Sequence, residues 1–200
     1  MSDSVTLLTA GLDLIGEQVE ATSDDGWSAA SPCERWTALD VLAHVTGTTQ
    51  KAIACMSGAE YTGEPADPVT GEGVAPIVQR WRDTADQAAD SVIAADPAQQ
   101  VETPRGSMPL GAALALPAAD LAVHAWDLAA AGGRRLELSP ELLAHVQSVI
   151  DSLPPDRLRS PGLFGPQVEA PPGAGPTETL MAFLGRRRPD AEESRPQVPQ

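Results

Sequence analysis

Apolar residues recur three and four positions apart along most of this chain, and strand-like alternation is scarce. Leu7, Leu8, Leu12, Leu14, Ile15 and Val19 share one side of a helix predicted over about 4–21. The loop ATSDDGWSAASPCER leads to a second helix near 37–56, where Thr37 can cap and Asp40 makes the first turn acidic. Glycine, proline and acid over 57–73 read as a surface loop. A third helix runs from near Pro76 to about Ala95, and a turn over 96–108 follows. The fourth helix spans about 110–131 and ends at Gly132-Gly133. The fifth, about 140–152, opens on Ser139-Pro140 and stops at Pro154-Pro155. Residues 154–176 are rich in proline and glycine around an apolar knot at 162–165, and a last short helix covers about 177–185. The pattern implies an all-α fold: a four-helix bundle over 1–153, a C-terminal extension packing on it over 154–185, and a disordered tail over 186–200.

The fourth helix carries the candidate chemistry. At 100° per residue from Asp120, His124 falls near 40° and Asp127 near 340°, so the three share a stripe about 60° wide. Every other residue from Leu114 to Ala131 is apolar or alanine, apart from Pro117. So apolar a helix is expected to be buried, and a buried carboxylate and imidazole need partners. Asp120 and His124 stand four residues apart, a spacing that lets two metal ligands reach one point from successive turns. His44, midway along the second helix, is the natural third donor. Two histidines and a carboxylate leave a coordination position open for water or substrate and suit zinc, iron, nickel or cobalt. The competing reading makes Asp120, His124 and Asp127 the narrow solvent face of an outer helix and His44 a surface-edge histidine. His145 is expected to border a packed face, and Cys33 and Cys55 to be packed thiols. Trp36 and Trp126 are expected in the core or a pocket wall. Arg134, Arg135 and Arg186 to Arg188 are expected only to complement helix dipoles.

Charge narrows the partners. Against 28 acidic residues stand 13 basic ones, a formal charge of −15 that repels nucleic-acid backbones and anionic lipid. The N-terminus lacks a basic, uninterrupted apolar leader, and the stretch from Pro109 to Ala131 is broken by Pro117, Asp120, His124 and Asp127. Two cysteines form no disulfide framework, so a cytoplasmic protein acting on a small-molecule substrate is expected, with neither nucleic-acid nor membrane partner.

The segments SPCERWTALDVLAHVTG, LPAADLAVHAWDLAAAGG and GLFGPQV, followed by the LMAFLG helix, resemble the DinB-like superfamily. Within it they are similar to the mycothiol-dependent maleylpyruvate isomerase branch of actinobacterial metal-binding proteins. The resemblance implies a four-helix bundle holding one divalent metal, zinc foremost and nickel or iron next, through His44, Asp120 and His124. It also implies mycothiol as co-substrate of a transferase or isomerase acting on a small electrophilic compound. Trp36 and Trp126 would then wall the cofactor pocket, and Asp127 would orient a ligand. Two departures stand out. The family usually carries glutamate where this chain has Asp120, about one ångström shorter in reach, and Pro117 lies one turn before it. The isomerase proper has a further C-terminal domain, for which this chain is short. The alternative functions are a metal-independent cyclase or isomerase of secondary metabolism in the same cavity, and a non-catalytic small-molecule-binding protein. A homodimer is expected in each case.

Overall fold

The computed structural model describes residues 3–59, 72–103, 106–159 and 163–189. Helix α1 (Ser4–Ala21) starts where the Asp3 side chain accepts the Thr6 N–H. Helix α2 (Ala38–Ser57) opens on the expected cap: Thr37 accepts from the Asp40 N–H while the Asp40 carboxylate accepts from the Thr37 N–H. Gly58, left-handed at φ 68°, closes it. Helix α3 (Val74–Ile93) follows, then strands β1 (Gln100–Thr103) and β2 (Gly106–Pro109), helices α4 (Leu110–Ala113) and α5 (Ala115–Ala131), α6 (Pro140–Asp151), α7 (Pro155–Leu158) and α8 (Pro176–Phe183).

The most apolar segment of the sequence becomes the axis of this fold. In α5, Ala118, Ala119 and every residue from Leu121 to Ala131 are buried. Helices α1, α2 and α6 surround it, while α3 lies against α2 and α1. Leu8, Ile15, Leu42, Leu121 and Leu128 are fully enclosed between these helices. Each such side chain contributes about 1.5–3 kcal/mol relative to exposure. The closest approach is at Gly11, where an added Cβ would stand 2.8 Å from the Leu121 Cβ. Gly11→Ala gains helix propensity but forces α1 away from α5, so a net loss of about 1–2 kcal/mol is expected. A urea midpoint at or above that of the parent would overturn the α1–α5 contact at this point.

Three differences from the sequence reading have physical causes. The expected fourth helix divides at Leu114 into α4 and α5. Pro117 thus falls in the first turn of α5, where a missing N–H removes no intrahelical bond and kinks nothing. The expected turn over 96–108 holds an antiparallel hairpin, with Val101 opposite Met108 and buried, too short for alternation to register in the sequence. Residues 186–189, expected in the tail, lie against the bundle, with Arg186 paired to Asp127 and Arg188 to Glu178. The rest of that tail, 190–200, and most of the expected loop over 57–73 lie outside the described residues. The Leu138 N–H donates to Thr177 Oγ1 at 3.0 Å and ties the extension to the rest of the chain, and within the extension the Val168 N–H donates to the Ala182 carbonyl at 2.9 Å. No helix among the described residues is long and apolar enough to cross a membrane.

Candidate metal centre

Where α2 packs on α5, His44 meets Asp120 and His124. His44 Nε2 lies 3.3 Å from Asp120 Oδ2, and His124 Nε2 lies 3.4 Å from Asp120 Oδ1. One donor atom from each residue falls within 4.8 Å of the others, and the two imidazole centroids are 4.9 Å apart. Zinc bonds of 2.0–2.2 Å in a tetrahedron separate neighbouring donors by about 3.3–3.6 Å. Direct N–H···O hydrogen bonds are shorter, about 2.7–3.2 Å. Both imidazole–carboxylate spacings are long for hydrogen bonds and of the length that neighbouring donors to such an ion have. The two oxygens of Asp120 face the two histidines separately, Oδ2 toward His44 and Oδ1 toward His124. Thr48, one turn beyond His44 on α2, donates its hydroxyl to Asp120 Oδ2 at 2.8 Å and holds the carboxylate in place. Asp120 and His44 side chains are 26% and 18% exposed against 7% for His124, so the cluster opens to solvent on their side.

Behind the cluster runs a second, enclosed layer. His124 Nδ1 is 2.9 Å from Asp127 Oδ2, which leaves the Nε2 lone pair for the Asp120 side when Nδ1 carries the proton. Asp127 is fully buried and also accepts from Cys33 Sγ at 3.1 Å and from Arg186 Nε, 3.2 Å from each carboxylate oxygen. Cys33, His124 and Asp127 also bring donor atoms together, but the Arg186 cation already neutralises Asp127 there. Burial pushes the Asp120 carboxyl up, yet His124 and then His44 overcome it and hold it well below the usual range. Burial likewise opposes charge on His124, and Asp120 above all, with Asp127, lifts it well above the ordinary imidazole value. Burial raises the Cys33 thiol and Asp127 raises it further. A cation entering the cluster would displace a proton from His124 Nε2, the usual exchange at imidazole ligands.

The sequence-predicted residues distribute unevenly about this point. Trp36 covers both imidazoles, with centroids 5.0 Å from His44 and 6.2 Å from His124, the latter at 23° between planes. Trp126 is buried elsewhere, with the Arg188 guanidinium 5.0 Å over its ring and its Nε1 unpartnered. Asp127 sits behind His124 rather than facing the opening. His145 is apart from the cluster, its Nε2 2.8 Å from the Ala115 carbonyl. A groove between α6 and α8, lined by Gln147, Thr179, Leu180 and Phe183, shares no residue with it. Sequence reasoning missed three members. Thr48 was findable, being four residues from His44 on the same helical face. Cys33 stood in a loop with no periodicity to place it. Arg186 was assigned to a helix dipole, whereas its guanidinium turns inward to Asp127.

A helical bundle with this His–Asp–His cluster between two of its long helices is of the DinB-like class. The chain belongs to the family defined by the mycothiol maleylpyruvate isomerase N-terminal domain, which matches residues 8–129. It is similar to the uncharacterized proteins Rv0738 and MT0763 of Mycobacterium tuberculosis, strains ATCC 25618 / H37Rv and CDC 1551 / Oshkosh. Each is 31% identical over 169 residues, 81% of this chain and 86% of theirs. Among solved structures, the mycothiol-dependent maleylpyruvate isomerase superposes with a TM-score of 0.51 at 20% identity, over 74% of this chain and 68% of that one. A mutant of that enzyme gives the same score at 18% identity. At such identities the likeness speaks for the fold.

Proposed function

We propose that the chain is a metal-dependent enzyme that uses mycothiol to transfer to, or isomerise, a small electrophilic organic substrate. The observation that carries this reading is the convergence of His44, Asp120 and His124, one donor atom of each within 4.8 Å of the others and each imidazole Nε2 3.3–3.4 Å from a carboxylate oxygen. Family membership supplies the thiol. Zinc leads for this donor set, with nickel or iron next. When bound, the ion supplies the positive charge that keeps a thiol deprotonated, and so nucleophilic, near neutral pH. The chain's own residues do the rest. Asp127 fixes the tautomer and orientation of His124, and Thr48 fixes Asp120. Trp36 offers an apolar plane over the histidine pair against which an organic substrate can lie. The cytoplasm as compartment and a homodimer as assembly belong to the same proposal; light scattering near twice the 20.8 kDa chain mass would support the latter.

The test is turnover by zinc-loaded protein given mycothiol and a panel of electrophiles: maleylpyruvate, an epoxide and an activated aryl chloride. Product isomerisation is followed by absorbance and thiol conjugates by mass spectrometry. Thiol-dependent turnover that stops on chelation is expected. Turnover needing neither thiol nor metal would favour the second reading, a metal-independent isomerase or cyclase. The hydrogen-bonded His124–Asp127 pair keeps that reading alive as a ready acid–base group. Tight binding of a small molecule with no turnover would leave the non-catalytic reading.

A further inference from the structure

We propose that Arg186, delivered by the turn that ends α8, is a positioning residue for the metal centre. It holds Asp127 so that His124 keeps Nε2 aimed at Asp120 and His44. The proposal rests on the metal reading of that triad.

Asp127 is a fully buried carboxylate whose described donors come from three parts of the chain. His124 Nδ1 belongs to the same helix, and the Cys33 thiol to the loop before α2. Arg186 Nε belongs to the C-terminal extension and stands 3.2 Å from both oxygens. A thiol is a weak donor, and once an ion holds Nε2 the imidazole of His124 is neutral, so among the described donors to Asp127 Arg186 is then the one that carries a positive charge. Without it Asp127 would be an uncompensated buried anion, free to seek the His124 proton or another partner.

The route by which Arg186 arrives is built for this contact. Gly185 adopts φ 81°, and its N–H donates to the Ala182 carbonyl while the Arg186 N–H donates to that of Met181. This is the paired closure of a Schellman turn, which reverses the chain at the end of α8. A Cβ at Gly185 would stand 2.8 Å from Gly165 C and Pro166 O, so only glycine lets the two backbones pass. The Arg186 side chain is only 9% exposed, and its guanidinium lies 5.7 Å from the Phe164 ring centroid. Two residues on, Arg188 anchors the segment by pairing with Glu178 and donating to the Arg134 carbonyl at 2.6 Å. The extension, outside the family match over 8–129, thus completes the inner layer of the candidate metal centre.

The test is zinc affinity by competition with a chromophoric chelator, on folded protein checked by circular dichroism. Loss of a partner that orients a ligand commonly costs 10–100-fold in metal affinity. Arg186→Gln is expected to weaken zinc binding by about that factor, and Arg186→Lys to recover part of it. Arg186→Gln combined with Asp127→Asn should bind no more weakly than Asp127→Asn alone, since the arginine acts through that carboxylate. Affinity of Arg186→Gln within about twofold of the parent would overturn the proposal, as would a lysine variant no better than the glutamine one, or losses that add in the double variant. If Arg186→Gln does not fold, Arg186→Met, which keeps the apolar stem and removes the charge, carries the test under the same twofold limit. His44→Ala separates the two claims: zinc bound as tightly there as in the parent would overturn the triad itself, whereas zinc lost there but unaffected at Arg186 would overturn only the positioning role.

Discussion

Replacing His124 with alanine is expected to remove bound metal and turnover together. About 10–16 kcal/mol of apparent binding energy spread over four ligands in a structural zinc site puts roughly 2.5–4 kcal/mol on one donor. That is a loss of about 10²–10³-fold in affinity, and His124 is the donor with most invested around it. Its Nδ1 is held by Asp127, its ring is stacked under Trp36, and its side chain is nearly enclosed. The bundle should survive, because Asp127 keeps Arg186 and Cys33 as partners and Asp120 keeps Thr48. His44→Ala removes the more exposed donor and disturbs the core less, so it should lose metal with a smaller change in stability. Plasma mass spectrometry on protein purified without chelator checks both. Near one zinc per chain in the parent and none in either variant is the expected pattern. A His124→Ala protein that retains metal and rate would overturn the triad.

How far this site could be read beforehand depended on which residues obey a period. Helix α5 declared itself because a polar stripe of only Asp120, His124 and Asp127 interrupts an otherwise apolar helix, and burial of everything around that stripe followed. Asp120 and His124 were legible as a pair because four residues make one turn. His44 sat on a separate helix, and only the meeting of α2 with α5, which no local pattern encodes, brings it to 3.3 Å from Asp120. The same limit hid Arg186. Its partner lies 59 residues away, and a run of three arginines after a helix looks like dipole complement or a solvated tail. Glycine at 185 was the overlooked sign, since it is the residue that turns the chain inward. Pro117 shows the converse, a strong local signal whose weight depends on a boundary. Once α5 begins at Ala115, a proline two residues later costs almost nothing.

Chelation is expected to lower thermal stability as well as stop turnover, and the two effects test different links. An ion that binds only the folded protein stabilises it by RT ln(1 + [L]/Kd), about 4.1 kcal/mol at a thousandfold excess over Kd. For a domain of 150–250 residues each kcal/mol moves Tm by about 2–4 °C, so zinc at that excess should raise Tm by about 8–16 °C over chelator-treated protein. The size of the shift reports affinity, and its loss in His44→Ala reports that the ion joins α2 to α5. A shift preserved in His44→Ala would place the ion elsewhere. Chelator that changes neither Tm nor rate would remove the metal from the account and leave His124, backed by Asp127, as an acid–base group in a metal-independent enzyme. The case between these, a large zinc shift with no effect of chelator on rate, would mean that the ion ties the two helices together but does not take part in the reaction. The acidic Asp120 side of the cluster, open to solvent, would then hold the ion while the substrate met Trp36 and His124 alone.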